Sequence, residues 1–315
     1  MIDLRPVGYV IGILLALLGA AMIFPLLVDL AEGRGHWPIF LESAAITFGF
    51  GVLLAMACSN GLKKGLSIQQ TFLLTTGVWL ALPLFGALPF LFGETDARYV
   101  DGFFEAMSGL TTTGATVFTG LENLPKGLLL WRGILQWFGG IGIIVVAMVF
   151  LPELRVGGMQ IFKAEAFDTL GKILPKATTI AMQISVIYLS ITMLCIAAYF
   201  AVGMSAFDAT VHAMTTVATG GFSNYDASFG AFSAGAEYVC VVFMLLAALP
   251  FVRYVQFVNG SLFAMAKDVQ VKSFLLIVVV LSLLTAGIVY TNYGFGEEEA
   301  IRKALFNITS IISGT

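Results

Sequence analysis

Long apolar stretches separated by short charged clusters form the main pattern of the chain. Seven of them are about as long as the ~20 mostly apolar residues that a transmembrane helix needs. Six contain no charged residue, and the other is interrupted only by Arg253. The stretches are residues 6–28, 43–62, 65–93, 133–152, 177–207, 238–266 and 273–296. The pattern predicts an all-α integral membrane protein that crosses the bilayer several times.

The composition supports this fold class and excludes several functions. Of the 315 residues, 59% are hydrophobic and 11% are charged, whereas about 25% are charged in a typical soluble domain. An ordinary soluble enzyme and a disordered protein are therefore excluded. There are 16 Lys and Arg residues against 19 Asp and Glu residues, so no basic excess is present to neutralise nucleic-acid phosphates. We expect a lipid bilayer as the environment and no nucleic-acid partner.

The distribution of charged residues sets the expected orientation. With the N-terminus in the cytoplasm, ten Lys and Arg residues fall in inner segments and six in outer segments, which agrees with the positive-inside rule. The acidic residues are biased towards the outside. Such an outer face either concentrates cations at an entrance or is an ordinary solvated loop surface, and the sequence leaves both readings open.

A short motif with threonine and glycine at its end occurs three times. The first copy runs from Asp101 to Gly114, and the second, from Asp208 to Gly221, aligns with it without a gap. The third copy, from Phe306 to Thr315, aligns without a gap with the stretch from Phe104 to Thr113 in the first. Repeats of this kind indicate one structural unit used several times.

Each copy predicts a half-helix of about ten residues that follows a long span, and such a helix is too short to cross a bilayer. The threonine and glycine residues after it cannot face lipid, because unpaired backbone groups cost several kcal/mol each there. We therefore predict span–pore helix–filter loop–span units around a central pore. The expected boundaries are 1–64 for two extra spans, 65–155 and 172–266 for two repeats with filters at about 111–116 and 218–223, and 271–315 for part of a third.

The chemistry of these loops suits a monovalent cation. A half-helix points the negative end of its dipole at the membrane centre, and glycine lets successive carbonyl oxygens face an ion. The carboxylates of Asp101 and Asp208 are expected to cap the amide ends of the half-helices. An ordinary helix C-cap is the alternative for one copy, but three copies favour a filter. The predicted filter residues are Thr112, Thr113, Gly114, Thr219, Gly220, Gly221, Gly314 and Thr315, with K⁺ at Thr112, Thr113, Thr219 and Gly220.

These motifs resemble the Trk/Ktr/HKT superfamily of potassium transporters. The stretches 136–142 (QWFGGIG) and 151–165 (LPELRVGGMQIFKAE) are similar to the TrkH family within it, and the two extra spans favour TrkH over the KtrB branch. The resemblance implies K⁺ uptake across a bacterial inner membrane through a channel-like pore with a backbone-carbonyl filter, without a covalently bound cofactor. It also implies a homodimer on a cytosolic nucleotide-binding TrkA-type ring, which would face residues 163–176.

The superfamily has four repeats, whereas this chain carries two and a half. We therefore expect the coding sequence to continue past residue 315 with a glycine next. Whether transport is channel-like or a symport coupled to H⁺ or Na⁺ stays open. The alternatives are a secondary transporter that binds a small solute or Na⁺ at broken helices, and, much less favoured, an intramembrane enzyme built on Ser108 and His212.

Three smaller features complete the picture. His212 takes the place of Glu105 in the repeat and is expected to pack or to form hydrogen bonds on its pore helix. His36 is expected in an outer loop. The glycines of 139–142 are expected to pack beside the first pore helix.

Overall fold

A computed structural model describes residues 2–33, 35–61, 66–93, 95–149, 177–261 and 263–315, and the regular structure within these ranges is helical. The residues form two compact units, 1–136 with 224–226 and 137–223 with 227–315, and each is described by itself. The α-helices are α1 Arg5–Ala21, α2 Ile23–Ala31, α3 Trp37–Cys58, α4 Ile68–Gly86, α5 Leu88–Phe92, α6 Tyr99–Leu110, α7 Lys126–Val149, α8 Ala177–Ala201, α9 Ala206–Val217, α10 Ala234–Ala248, α11 Phe251–Val258, α12 Ala264–Lys267, α13 Val269–Tyr293 and α14 Glu297–Ser313.

Most of the predicted spans coincide with long apolar helices. In the described part of the chain, five helical segments are long and apolar enough to cross a membrane: Arg5–Ala31, Trp37–Cys58, Gln69–Phe92, Ala181–Ala201 and Val269–Tyr293. The fourth predicted span, 133–152, falls on α7, and its last residues lie outside the described ranges. The chain is therefore a multi-pass membrane protein.

The stretch 238–266 differs from its prediction as one continuous span. Helices α10 and α11 meet there at 85°. Pro250 provides the physical reason, because its ring disfavours a helical conformation of the preceding residue and it has no N–H to donate. Leu249 is accordingly extended, with φ −73° and ψ 148°. The Tyr254 hydroxyl donates to the Leu246 carbonyl over 2.6 Å and holds the corner.

The two extra N-terminal spans pack closely through small residues. A Cβ atom added to Gly12 on α1 would lie 2.6 Å from the backbone nitrogen of Ala55 on α3. One added to Gly51 on α3 would overlap the backbone nitrogen of Ala16. Such approach of two helix backbones through glycine is a common way to join membrane helices. Helices α1 and α3 therefore form a closely packed pair.

A buried polar cluster fixes the start of α7. The Asp29 carboxylate accepts a hydrogen bond from the Gly127 amide over 2.6 Å and lies 2.7 Å from Nδ1 of His36. A carboxylate at the amide end of a helix complements the helix dipole. His36 lies in the connection between α2 and α3, where a loop was expected, but it is only 2% exposed. This histidine is therefore part of the packed interior of the first unit.

An apolar core holds the half-helices of the second unit. Tyr188, Tyr199, Ala213 and Met244 belong to one buried cluster, to which α8, α9, α10 and α11 contribute. Phe306 of α14 packs against this cluster. The carboxylate of Glu237 on α10 accepts hydrogen bonds from Arg302 and Lys303 of α14, over 2.6 and 2.7 Å. Packing and buried charge together attach the third half-helix to the second repeat.

Two of the three half-helices are close to the predicted length of about ten residues. Helices α6 and α9 have 12 residues each, and α14 has 17. The third is longer than the predicted half-helix because it begins with a charged turn, Glu297–Glu299. All three are shorter than the ~20 residues of a span.

Replacement of Gly51 by alanine should destabilise the first unit. A methyl group there overlaps the backbone of α1, and overpacking of this kind costs about 1–3 kcal/mol. Gly49 lies on the same helix with no atom within 4 Å of its added Cβ, so Gly49→Ala is the matched control and should be neutral or slightly stabilising. The measurement is thermal unfolding in detergent. Equal melting temperatures for the two variants would contradict the close crossing.

Candidate functional site

The first pore helix ends in a tight left-handed turn. After α6, Thr112 has a φ of +54°. Its amide donates to the Gly109 carbonyl over 2.9 Å, and the Thr113 amide donates to the Ser108 carbonyl over 2.9 Å. This pair of hydrogen bonds is the Schellman motif, which usually has glycine at the left-handed position. Here that position holds a threonine.

The second pore helix ends in the same turn. Thr219, which takes the place of Thr112 in the second copy of the motif, has a φ of +53°. Its amide donates to the Thr216 carbonyl over 3.0 Å, and the Gly220 amide donates to the Thr215 carbonyl over 2.9 Å. Both hydrogen bonds join the positions that are equivalent to those of the first turn. The repeat seen in the sequence is thus a repeat of backbone conformation.

The third copy enters the same conformation. Gly314, which takes the place of Thr112 there, has a φ of +77°. The Thr315 amide donates to the Ser310 carbonyl over 3.0 Å, as Thr113 does to Ser108 in the first copy. A C-cap was the alternative interpretation of these segments. The turn is indeed a C-cap, but in two copies it places a β-branched residue where the backbone penalises one.

Glycines with positive φ follow both left-handed threonines after one intervening residue. Gly114 has a φ of +76° and Gly221 a φ of +70°. A Cβ atom added to Gly221 would lie 2.6 Å from the carbonyl carbon of Thr315. The second segment and the end of the third copy therefore lie side by side in the second unit. Glycine is required at 221 both by its conformation and by this close approach.

The carbonyl oxygens of residues 112–115, in the first segment, accept no hydrogen bond from the residues that the structure describes. The amides of Thr112 and Thr113, in contrast, are both used. Backbone groups at membrane depth are paired within the protein or line a watery path. These oxygens are the groups with which such a segment can bind a cation.

The two predicted capping carboxylates lie in the first turns of their helices. Asp101 accepts a hydrogen bond from the Arg98 amide over 3.1 Å. Asp208 accepts one from the Ser205 hydroxyl over 2.7 Å, and this hydroxyl in turn accepts the Asp208 amide over 3.0 Å. Both carboxylates lie at the amide ends of their helices, where negative charge is favourable.

A buried carboxylate connects the first pore helix to the chain that leaves its filter segment. Glu105 on α6 accepts hydrogen bonds from the Thr116 hydroxyl over 2.9 Å and from the Val117 amide over 3.1 Å. The Nε group of Arg132 on α7 also donates to it over 2.7 Å, with both side chains fully buried. The alignment of the two sequence repeats pairs Glu105 with His212, but the sequence alone indicated no role for Glu105. Its position on a short, otherwise largely apolar helix was the available signal.

The second repeat has an imidazole at the corresponding position. His212 is fully buried, and its Nε2 atom lies 3.1 Å from the Ser223 hydroxyl oxygen. The alignment of the two copies that pairs His212 with Glu105 also pairs Ser223 with Thr116. Helices α6 and α9 are therefore each connected to the last residue of the predicted filter segment that follows, by a different side chain in each repeat.

The loops that follow the first two filter segments interlock within the first unit. The Asp226 carboxylate accepts hydrogen bonds from the amides of Gly120 and Leu121, over 2.7 and 3.1 Å. The Asp226 amide donates to the Glu122 carboxylate over 3.3 Å. These two amides hold the pKa of Asp226 below its usual range. The hydrogen bond from Gly120 has the larger effect and that from Leu121 the next largest.

Comparison with known proteins agrees with this architecture. Residues 36–290 match the TrkH family of cation transport proteins. The chain is 38% identical to the Trk system potassium uptake protein TrkI of Halomonas elongata and 35% identical to TrkH of Escherichia coli, over 98% of its length in both cases. It superposes on the crystal structure of the potassium transporter TrkH from Vibrio parahaemolyticus with a TM-score of 0.87 and 34% identity, over 98% of the chain.

The chain belongs to the TrkH family. The resemblance of its motifs to that family is thereby confirmed, as is the all-α membrane fold. The chain spans 63% and 65% of the lengths of the TrkI and TrkH relatives, and 64% of the chain in the crystal structure.

Parts of the TrkH-like motifs have a definite place in the structure. An added Cβ on Gly140 would lie 2.7 Å from the Tyr188 hydroxyl and 2.9 Å from Cα of Ala218. This glycine therefore packs at the end of α9, the predicted second pore helix. The motif 151–165 and the stretch 163–176, expected to face a regulatory ring, lie outside the described residues.

The left-handed turn predicts opposite effects of two substitutions. Thr112→Gly should raise the free energy of unfolding by about 1 kcal/mol, because glycine adopts the left-handed conformation without a Cβ penalty. Gly114→Ala should lower it by about 1 kcal/mol for the converse reason. Both are measured by denaturation in detergent. A destabilised Thr112→Gly variant would contradict the strained turn.

Acidification should loosen the interlocked loops. Because the pKa of Asp226 is lowered in the folded protein, its stabilising effect is complete above the usual aspartate pKa. The effect is lost as the pH falls through the lowered value. Hydrogen exchange of residues 118–123, corrected for intrinsic rates, should show protection that decreases on acidification.

Two variants test whether this protection comes from Asp226. Asp226→Asn should reduce the protection already at neutral pH, because the amide group is a weaker acceptor than the carboxylate. Glu297→Gln, at an exposed carboxylate on α14, should keep the wild-type profile. An unchanged profile in Asp226→Asn would rule out this role.

Proposed function

We propose that the protein mediates K⁺ uptake through a channel-like pore, in which segments 111–116 and 218–223 and the segment that begins at Gly314 act as parts of a backbone-carbonyl selectivity filter. The observation that carries the proposal is the left-handed turn shared by three short half-helices. It ends each helix inside the repeat unit and is followed, in the first copy, by carbonyl oxygens to which none of the described residues donates. The potassium uptake activity in the names of the relatives supports the choice of ion.

The chemistry of the segments favours a monovalent cation. No carboxylate occurs in 111–116 or 218–223, whereas divalent ions are usually bound with carboxylate ligands. Each half-helix contributes about −0.5 of an elementary charge at its carbonyl end. Partial charges of this size stabilise an ion with a single charge and still let it leave. Thr112, Thr113, Thr219 and Gly220 are the proposed contacts of K⁺.

The wider assignments follow from the family. We propose a bacterial inner membrane as the location, with a cytoplasmic N-terminus. A homodimer on a TrkA-type nucleotide-binding ring is the proposed assembly. The repeat boundaries 65–155, 172–266 and 271–315 are proposed as the units of the pore, after two extra spans in 1–64.

A second candidate function is secondary transport with a solute or Na⁺ bound at a broken helix. The 85° corner between α10 and α11 is the observation that favours it, because discontinuous helices form the binding sites of many transporters. The two functions differ in coupling. A channel-like pore gives Rb⁺ flux that is independent of a Na⁺ or H⁺ gradient, whereas a symporter does not.

Serine at Gly114 should reduce the preference for K⁺ over Na⁺. A side chain at a position with positive φ shifts the carbonyls that would replace the hydration shell of the ion. The measurement is ⁸⁶Rb⁺ and ²²Na⁺ flux into proteoliposomes with the protein expressed from its complete gene. We expect the Rb⁺/Na⁺ ratio to fall by about tenfold or more, which corresponds to at least about 1.4 kcal/mol of lost discrimination.

Gly120 provides the matched control for this experiment. Its φ of +69° carries the same backbone strain after substitution, but it lies outside the proposed filter. Gly120→Ser should therefore keep the wild-type flux ratio. An unchanged ratio in Gly114→Ser, or an equal fall in both variants, would contradict the filter assignment.

A further inference from the structure

We propose that His212 is a positioning residue for the second filter segment and that it acts through its hydrogen bond to Ser223. This inference rests on the proposed filter function. The two atoms involved, Nε2 of His212 and Oγ of Ser223, are 3.1 Å apart in the interior of the second unit. Ser223 closely follows Gly221, where the chain leaves the segment.

The backbone sets the role of one ring nitrogen. Nδ1 of His212 lies 2.9 Å from the Asp208 carbonyl oxygen, which can only accept a hydrogen bond. Nδ1 therefore donates to this carbonyl. In the neutral form of the ring, Nε2 is the acceptor, and the Ser223 hydroxyl donates to it.

Two aromatic rings hold the orientation of the imidazole. Phe229 and Phe232 contact it edge to face, with centroid distances of 5.5 and 4.9 Å and interplanar angles of 86° and 83°. His212 itself is fully buried. A ring fixed by a backbone carbonyl and by two phenyl groups presents Nε2 in one direction, which is the property a positioning group needs.

The second filter segment is thus attached to its pore helix at both ends. At its start, the amides of Thr219 and Gly220 bond to carbonyls at the end of α9. At its exit, Ser223 bonds to a side chain further back on the same helix. The backbone between these two attachments, which includes Gly221, is the part proposed to contact the ion. Its carbonyl positions depend on both attachments.

The first repeat supplies independent support for this role. Glu105, at the matching position, bonds to Thr116, which is the counterpart of Ser223 in the alignment of the two copies. The chemistry differs between the repeats, because the carboxylate of Glu105 is paired with Arg132, whereas the imidazole of His212 is flanked by two phenyl rings. Two different side chains that make the same connection indicate that the connection itself is what the site requires.

The test is a double-variant cycle on ion selectivity. His212→Ala and Ser223→Ala, each in the protein expressed from its complete gene, should lower the ⁸⁶Rb⁺/²²Na⁺ flux ratio about threefold to tenfold, the fold-change expected for loss of one hydrogen bond. The double variant should lower it no further than either single variant, because both remove the same interaction. His212→Gln, which keeps an acceptor of similar reach, should restore the ratio to within about twofold of wild type.

One control variant and one fallback keep the outcomes distinct. Thr210→Ala removes a hydroxyl that bonds within α9, to the Ala206 carbonyl, and should leave the ratio unchanged. If His212→Ala does not fold, Ser223→Ala and His212→Gln decide the question, because neither leaves a large cavity.

The failure of this inference and the failure of the filter assignment give different results. Unchanged ratios in Ser223→Ala and His212→Ala, together with a lowered ratio in Gly114→Ser, would overturn the role of His212 and leave the filter standing. Strictly additive effects in the double variant would overturn it as well, because they would show that the two side chains act separately. An unchanged ratio in Gly114→Ser would overturn the filter itself.

Discussion

A helix that ends within a bilayer leaves carbonyl groups that neither lipid nor its own amides can pair, and this constraint underlies the pore-helix role that we propose for α6, α9 and α14. Helices α6, α9 and α14 are all shorter than ~20 residues, and each ends in a left-handed turn. In the first two, two amides pair two carbonyls of the last helical turn, and in the third both amides donate to the Ser310 carbonyl. The turn supplies hydrogen bonds to some of the carbonyl groups at the helix end and then directs the chain away from the helix. In the first copy, the carbonyls of residues 112–115 accept no hydrogen bond from the part of the chain that the structure describes.

The surrounding structure keeps this arrangement in place. Thr112 and Thr219 adopt a conformation that L-residues with a branched Cβ disfavour, so the turn persists only because neighbouring contacts hold it. Glu105 and His212 provide such contacts from the pore helices, and Asp226 joins the two loops that follow. The apolar core of the second unit and the buried Glu237 carboxylate hold α14 in turn. Strain at the ends of the half-helices is thus balanced by buried hydrogen bonds and packing.

The repeats show how one backbone design accepts different side chains. The left-handed residue is threonine in two copies and glycine in the third. The side chain that joins the pore helix to the last residue of the following segment is a carboxylate in the first copy and an imidazole in the second. The same pair of backbone hydrogen bonds recurs in the first two copies, and the third shares the left-handed residue and the bond from the amide that follows it. The left-handed turn is the feature that the three copies share, and different side chains accompany it.

The sequence by itself determined the membrane class, most of the spans, the threefold motif and the family, because hydrophobic length and local repeats are properties of contiguous residues. Tertiary structure alone decided which distant groups meet. The burial of His36 beside Asp29, the packing of Gly140 against Ala218, and the hydrogen bonds from the pore helices to Thr116 and Ser223 all join residues far apart or on separate elements. Such contacts depend on how helices pack and on where a turn sends the chain, and neither is written in the local pattern of apolar and polar residues.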